Sequence, residues 1–228
     1  MRVLPILFNT EMVRAILDGR KTVTRRVIKG LPDGTYDVKF NGEEWEALFG
    51  TVGKGACFDF YKELKLPCQT GDILYVRETW QECCRNTIHS QIVHNKYCFK
   101  ASVDNPIYGC IDRECGQICN WKPSIHMPKE AARIWLKVTD VRVERLQDID
   151  DEQAIKEGFE GERCHCGGTA YACTDCYNSG WIEPPFVGFM YTWNSTIKKA
   201  DLDRYGWDAN PWVWVIAFER CEKPEEEK

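Results

Sequence analysis

The sequence predicts an α+β fold in which strands dominate and short helices flank them. Residues 212–220 and 134–146 alternate apolar and polar side chains with a period of two, as half-buried strands require. The helix-compatible stretches between them are short and stop at Gly19 and Gly158. A third feature interrupts the alternation: two close pairs of cysteines between residues 164 and 176.

In chain order, the apolar run at 3–8 reads as a buried strand. Asn9 or Thr10 caps the helix that follows, with Met12, Val13, Ile16 and Leu17 on its inner face. The stretch from Lys21 to Ile28 has strand propensity, and its alternation places Thr22, Thr24 and Arg26 on one face with Lys21 at the strand mouth. Arg25 reads as a solvated neighbour of Arg26. Residues 30–70 are rich in glycine and contain the hairpin signals Asp33-Gly34 and Asn41-Gly42, so short strands and a helix near 43–49 are expected. A strand at 73–80 carries Glu78 and Trp80 on one face near its end. The alternation at 134–146 slips phase near Thr139 and Asp140, which predicts two strands or one bulged strand. A helix at 150–157 follows, opened by Asp150 with Gln153 and stopped by Gly158. The strand at 212–220 is the last ordered element, before a solvated Lys- and Glu-rich tail.

With 228 residues, 43% of them hydrophobic, the chain can bury one substantial core, and a single domain over 1–228 is expected, with insertions at about 30–70 and about 160–182. The formal net charge of −5 argues against long nucleic-acid tracks gripped by phosphate neutralisation. Any contact with nucleic acid should be local. No apolar run approaches the roughly 18 residues of a membrane span and no basic-then-apolar leader opens the chain, so a cytoplasmic protein without a membrane partner is expected.

The 13 cysteines are an odd number, so a closed disulfide framework leaves one over, and reduced thiols with metal ligation are the expectation. Cys164, Cys166, Cys173 and Cys176 form two close thiolate pairs, and Gly167 and Gly168 permit the tight turn that aims backbone N–H groups at sulfur. Structural Zn²⁺ is the expected occupant, because four thiolates leave no open position for water. The first pair is Cys-x-Cys, which keeps His165 as an alternative ligand; a redox Cys-x-x-Cys pair is the alternative chemistry. Cys98, Cys110, Cys115 and Cys119, with Cys83, Cys84, His89 and His94 nearby, are candidates for a second Zn²⁺ or are ordinary thiols.

The block from Gly19 to Arg26, followed downstream by Gly71-Asp72-Ile73-Leu74-Tyr75-Val76-Arg77-Glu78, resembles the ASCH family. Its opening motif, Gly-x-Lys-Thr-x-(Glu/Thr)-x-Arg, is met by Gly19, Lys21, Thr22, Thr24 and Arg26. The resemblance covers residues 1–28, 71–80, about 130–158 and the terminal strand, and leaves the two long excursions outside. It is nearest to phage- and prophage-borne members, which share the opening block and the segments around His126 and Trp212, and so implies the cytoplasm of a bacterial host cell. It further implies a PUA-like β-barrel with a cleft that accepts a modified nucleobase, a nucleoside or a short nucleic-acid segment, RNA or DNA.

Some small members are amidohydrolases that deacylate N4-acylated cytidine, and the resemblance carries their catalytic group onto Lys21, Thr24 and Glu78, with Arg26 as an anchor for the substrate. The chemistry is coherent on its own terms. A desolvated lysine near a second cation has its neutral amine favoured as nucleophile or base. Thr24 would hold that amine, and Glu78 would protonate the departing base and then activate water. Trp80 can stack the base, and His126, in a loop flanked by Pro123 and Pro128, is a further substrate-binding candidate. Two rivals stand beside this reading: a module that reads a modified base without chemistry, and a zinc-stapled interaction protein of phage origin.

Overall fold

A computed structural model describes residues 1–53, 56–82, 97–102, 120–169, 173–177 and 179–225, with the backbone alone for 51–53 and 56–59. The elements are β1 (Val3–Leu7), α1 (Thr10–Leu17), β2 (Val23–Val27), β3 (Thr35–Phe40), β4 (Trp45–Gly53), β5 (Ala56–Leu64), β6 (Ile73–Arg77), β7 (Trp80–Glu82) and β8 (Tyr97–Phe99). They continue with β9 (Trp135–Arg145), α2 (Asp151–Lys156), β10 (Glu162–Arg163), β11 (Trp181–Glu183), α3 (Pro185–Thr196), α4 (Leu202–Tyr205) and β12 (Trp212–Cys221). The fold is mixed α+β, with strands in four sheets: β1-β6-β9-β12-β2, β3-β4-β5, β7-β8 and β10-β11. Among the described residues these sheets do not close into the expected barrel, since β1 and β2 remain the outer strands of the five-stranded order. Alternation along a strand specifies its buried face but not its edge partner.

The chain divides into two compact units, each assembled from separate stretches. The first comprises Met1–Lys21, Gly71–Val138 and Phe218–Lys228. Here β1 runs parallel to β6, and β6 antiparallel to the start of β9. Asp72 fixes the start of this sheet by accepting hydrogen bonds from the Arg2 amide at 2.8 Å and from its guanidinium at 2.9 and 2.6 Å. The Asn9 side chain caps α1 by accepting from the Met12 amide at 2.8 Å, and α1 buries Val13, Ala15 and Ile16. The strand expected over 73–80 stops at Arg77, and Trp80 begins β7, which pairs with β8. Arg77 explains the break: its guanidinium donates to the Met127 carbonyl at 2.9 Å and to that of Ile125, tying this strand end to a distant loop.

The second unit comprises Thr22–Thr70 and Thr139–Ala217. Val23 of β2, Leu146, Ile149, Ala154 of α2, Phe189 and Trp193 of α3, and Val213 and Val215 of β12 form its core. β2 pairs antiparallel with β12 from Val23↔Ala217 to Val27↔Val213. Residues 43–49, expected as helix, belong to a three-stranded meander instead. The Asn41 carboxamide oxygen accepts from the amides of both Glu43 and Glu44 at 2.9 Å, a local turn that commits the chain to a hairpin. The helix expected at 150–157 forms as α2, with Asp150 accepting from the Gln153 amide at 2.7 Å and Gly158 (φ 96°) ending it. β9 is one continuous strand.

Arg25 is not solvated: its side chain has no exposed surface. It pairs with Glu144 at 3.0 Å and Glu157 at 3.4 Å, bonds Gln153, and lies 5.9 Å from the Phe189 ring centroid. The acids of β9 and of the end of α2 draw the guanidinium inward, where it is neutralised out of water.

Candidate functional site

The end of α1 positions Lys21. Gly19 takes φ 76°, its amide donates to the Ile16 carbonyl at 3.1 Å, and the amides of Arg20 and Lys21 both donate to the Ala15 carbonyl, at 2.9 and 3.0 Å. A left-handed residue at this point needs glycine, and the turn it makes carries the next side chain inward. Lys21 is consequently 2% exposed, with its Nζ 5.7 Å from the centroid of Phe8, the residue just after β1.

Glu78, 1% exposed, lies just beyond β6 in the same unit. Its amide donates to the Met127 sulfur at 3.2 Å. Its carboxylate is held by Arg133, Nε to Oε1 at 2.9 Å and Nη2 to Oε2 at 3.0 Å, the two-pronged match that guanidinium geometry allows. Arg133 is itself oriented by the Ser102 hydroxyl at 2.7 Å and by the Phe99 ring, 4.2 Å from its Cζ. Sequence reasoning missed Arg133, whose 55-residue separation from Glu78 leaves no spacing signal.

Of the other candidates in this unit, Trp80 is 4% exposed and packs with Phe99, Met127 and Ala131, edge-on to Tyr97 and with Lys122 Nζ 4.8 Å from its ring centroid. It stands in a side-chain cluster, whereas His126 is exposed on a short 3₁₀ turn. Thr24 and Arg26 belong to β2 of the second unit, where Thr24 is 2% exposed. Burial pushes the Arg26 pKa below the ordinary arginine value, with Glu157 opposing it.

A second constellation lies in the second unit. The hairpin β10-β11 brings the two cysteine pairs together, closed by the Cys164 amide donating to the Gly180 carbonyl at 3.0 Å. Gly167, Gly168 and Gly180 all take positive φ, at 58°, 81° and 81°. The sulfurs of Cys164, Cys166, Cys173 and Cys176 all lie within 4.8 Å of one another, with Cys164 to Cys173 at 3.7 Å and Cys166 to Cys176 at 3.3 Å. Tetrahedral thiolate ligation with a metal–sulfur bond of about 2.3 Å separates sulfurs by about 3.8 Å, so the donor set fits a metal ion.

The Gly168 amide donates to the Cys166 sulfur at 3.3 Å, and this bond is the main reason its pKa falls to about 6. For Cys164, the Cys166 amide favours the thiolate, but burial and the neighbouring sulfurs outweigh it and push the pKa up to about 12. His165, an alternative ligand from the sequence, has Nδ1 3.8 Å from the Cys164 sulfur and 3.7 Å from Asp175, a second arrangement able to hold a metal. Of the second cysteine cluster, Cys98 is disulfide-bonded, which removes its sulfur from any thiolate ligand set. Cys83, Cys84, His89, His94, Cys110, Cys115 and Cys119 lie outside the described residues. Among the described residues, no helix is long and apolar enough to cross a membrane. No family model, curated protein or solved structure matches the chain.

Proposed function

We propose that this chain is an ASCH-type protein directed at a modified nucleobase, and that Lys21 and Glu78 are the working groups of an amidohydrolase acting on an N-acylated cytosine-type nucleoside. Burial is the observation that carries the reading. Lys21 at 2% and Glu78 at 1% exposure share one compact unit, and charged side chains so fully removed from water concentrate where chemistry is done. The resemblance also assigns Thr24 and Arg26 to the site; the proposal rests on Lys21 and Glu78 alone, both in the first unit.

In the proposed reaction the acid and base roles expected from the sequence are exchanged, because the Arg133 guanidinium favours Glu78 as a carboxylate and Lys21 serves as an ammonium. Water adds to the acyl carbon and gives a proton to Glu78, whose two oxygens each keep a lone pair beyond the Arg133 bond. The bond from the acyl carbon to N4 breaks, N4 takes a proton from Lys21, and the proton on Glu78 restores the lysine. A carboxylic acid and the free amino base leave. Cys164, Cys166, Cys173 and Cys176 would hold a Zn²⁺ ion whose part would be structural, tying the β10-β11 hairpin.

One observation favours the second reading, a module that binds a modified base without turning it over: both Glu78 oxygens are already engaged by Arg133. A chromatographic assay of a panel of N-acylated nucleosides separates the two. Amino-nucleoside product that vanishes in Lys21→Ala supports the hydrolase. Saturable binding of the same nucleosides without product supports the module, and neither outcome with any nucleoside removes the site from both readings.

A further inference from the structure

The second unit contains a cavity of about 280 Å³ that neither reading uses. Arg145, at the end of β9, Arg204 of α4, Tyr205 and Trp212 line it, together with the turn at Asp33 and Gly34. Each arginine is placed by an aromatic ring and a backbone carbonyl. The Arg145 Cζ lies 4.1 Å from the Trp212 ring centroid, and its Nη1 donates to the Asn210 carbonyl at 3.0 Å. The Arg204 Cζ lies 5.4 Å from the Tyr205 centroid, and its Nη2 donates to the Leu31 carbonyl at 3.4 Å.

Their surroundings differ from those of most arginines described, although Arg77 also bonds backbone carbonyls. Arg2, Arg14, Arg20, Arg25, Arg133 and Arg142 each pair with a carboxylate. Among the described residues, Arg145 and Arg204 have backbone carbonyls as the partners of their guanidinium groups, so each keeps its charge and most of its five N–H donors for a ligand. Asp33 also contributes to the lining, so the two arginines leave the cavity with a net positive charge in a chain of formal net charge −5, which attracts an anionic group. A phosphate monoester carries about −1.5 to −2 at neutral pH and offers three acceptor oxygens to the two guanidinium forks, whereas a carboxylate offers two. The volume sits near the lower end of ligand sites and leaves room for a small organic group besides the phosphate.

We propose that this cavity is a binding site for a dianionic phosphoryl group gripped by Arg145 and Arg204. The group belongs either to a phosphorylated small molecule or to the terminal phosphate of a nucleic-acid strand. Neither the hydrolase reading nor the base-reading module requires it.

The test is calorimetric titration of the full chain with inorganic phosphate, cytidine 5′-monophosphate, cytidine, and one oligonucleotide with and without a 5′-phosphate. Binding of phosphate and the monophosphate that weakens by roughly tenfold or more in Arg204→Gln supports a small phosphorylated ligand. Binding confined to the 5′-phosphorylated oligonucleotide, with the same loss, supports the strand terminus. Arg145→Gln should lose as much; because Arg145 also packs on Trp212, the decisive variant is that of Arg204, an exposed residue whose replacement leaves the core alone. Affinity for the monophosphate should also fall as the pH drops below about 6, where its phosphate takes up a proton. No binding of any phosphate-bearing probe, or binding unchanged in Arg204→Gln, overturns the assignment. Lys21→Ala should leave phosphate binding intact, so failure here and failure of the hydrolase are read separately.

Discussion

The Glu78–Arg133 pair is asymmetric, and its two halves should therefore cost different amounts to remove. The Glu78 side chain is 1% exposed and that of Arg133 is 29% exposed. Arg133→Met keeps an aliphatic stem against Phe99 but leaves a buried carboxylate without the two bonds it receives at 2.9 and 3.0 Å. Removing one partner of a buried pair costs about 3–5 kcal/mol, and water entering through the exposed side of Arg133 lowers this to about 2–4 kcal/mol. Glu78→Gln leaves the guanidinium on the side that reaches solvent and keeps an oxygen able to accept one bond, so its cost should be about 1–2 kcal/mol. The double variant should be more stable than Arg133→Met alone, because the unpaired charge is gone. Urea unfolding with an unchanged slope measures this, with a midpoint shift of about 1 M expected for Arg133→Met. A cost below about 1 kcal/mol for Arg133→Met, or one smaller than for Glu78→Gln, would refute the reasoning.

Other consequences are open to measurement. Arg25→Met should destabilise the second unit by about 2–4 kcal/mol, since Glu157, 2% exposed, and Glu144 lose one guanidinium partner while Arg26 still acts on Glu157; Arg25→Met with Glu157→Gln should recover part of it, and urea midpoints give both values. Cys166→Ser should abolish stoichiometric zinc uptake, read by a colorimetric chelator. Zinc uptake should release protons, because Cys164, pushed up to about 12, must lose one to ligate, whereas Cys166 at about 6 is already mostly thiolate at pH 7. Affinity should therefore weaken as the pH falls, most steeply below 6, where Cys166 also takes up a proton. Gly161→Ala should distort the start of β10, because an added Cβ would stand 2.5 Å from the Glu183 carbonyl oxygen and 2.6 Å from Pro185 Cδ; a lowered melting temperature and weaker zinc retention are expected.

The parts of the fold legible in the sequence are those fixed by neighbours along the chain. Asn9 and Asp150 cap their helices and Gly19 and Gly158 stop theirs, because a cap or a left-handed turn is decided within four residues. The four cysteines are legible for the same reason, since ligand spacing and the glycine turn lie within one hairpin. Most of what escaped was set by residues far away. The strand at 73–80 breaks because Arg77 bonds carbonyls about fifty positions downstream and Trp80 bridges to Lys122. Arg25 turns inward towards Glu144, Gln153 and Glu157, more than a hundred residues on, and no pattern inside its own strand announces that. The helix expected at 43–49 gave way to a local signal outside its own span, the Asn41 side chain closing the hairpin turn.

The proposed hydrolase is tested most directly by incubating N4-acetylcytidine in ¹⁸O-labelled water with the wild-type chain and with Lys21→Ala, each first shown to be folded, and following released acetate by mass. The account predicts ¹⁸O-labelled acetate and equimolar cytidine from the wild type, with turnover falling by at least about 100-fold in the variant. Equal product from both chains, or none from either, would contradict it.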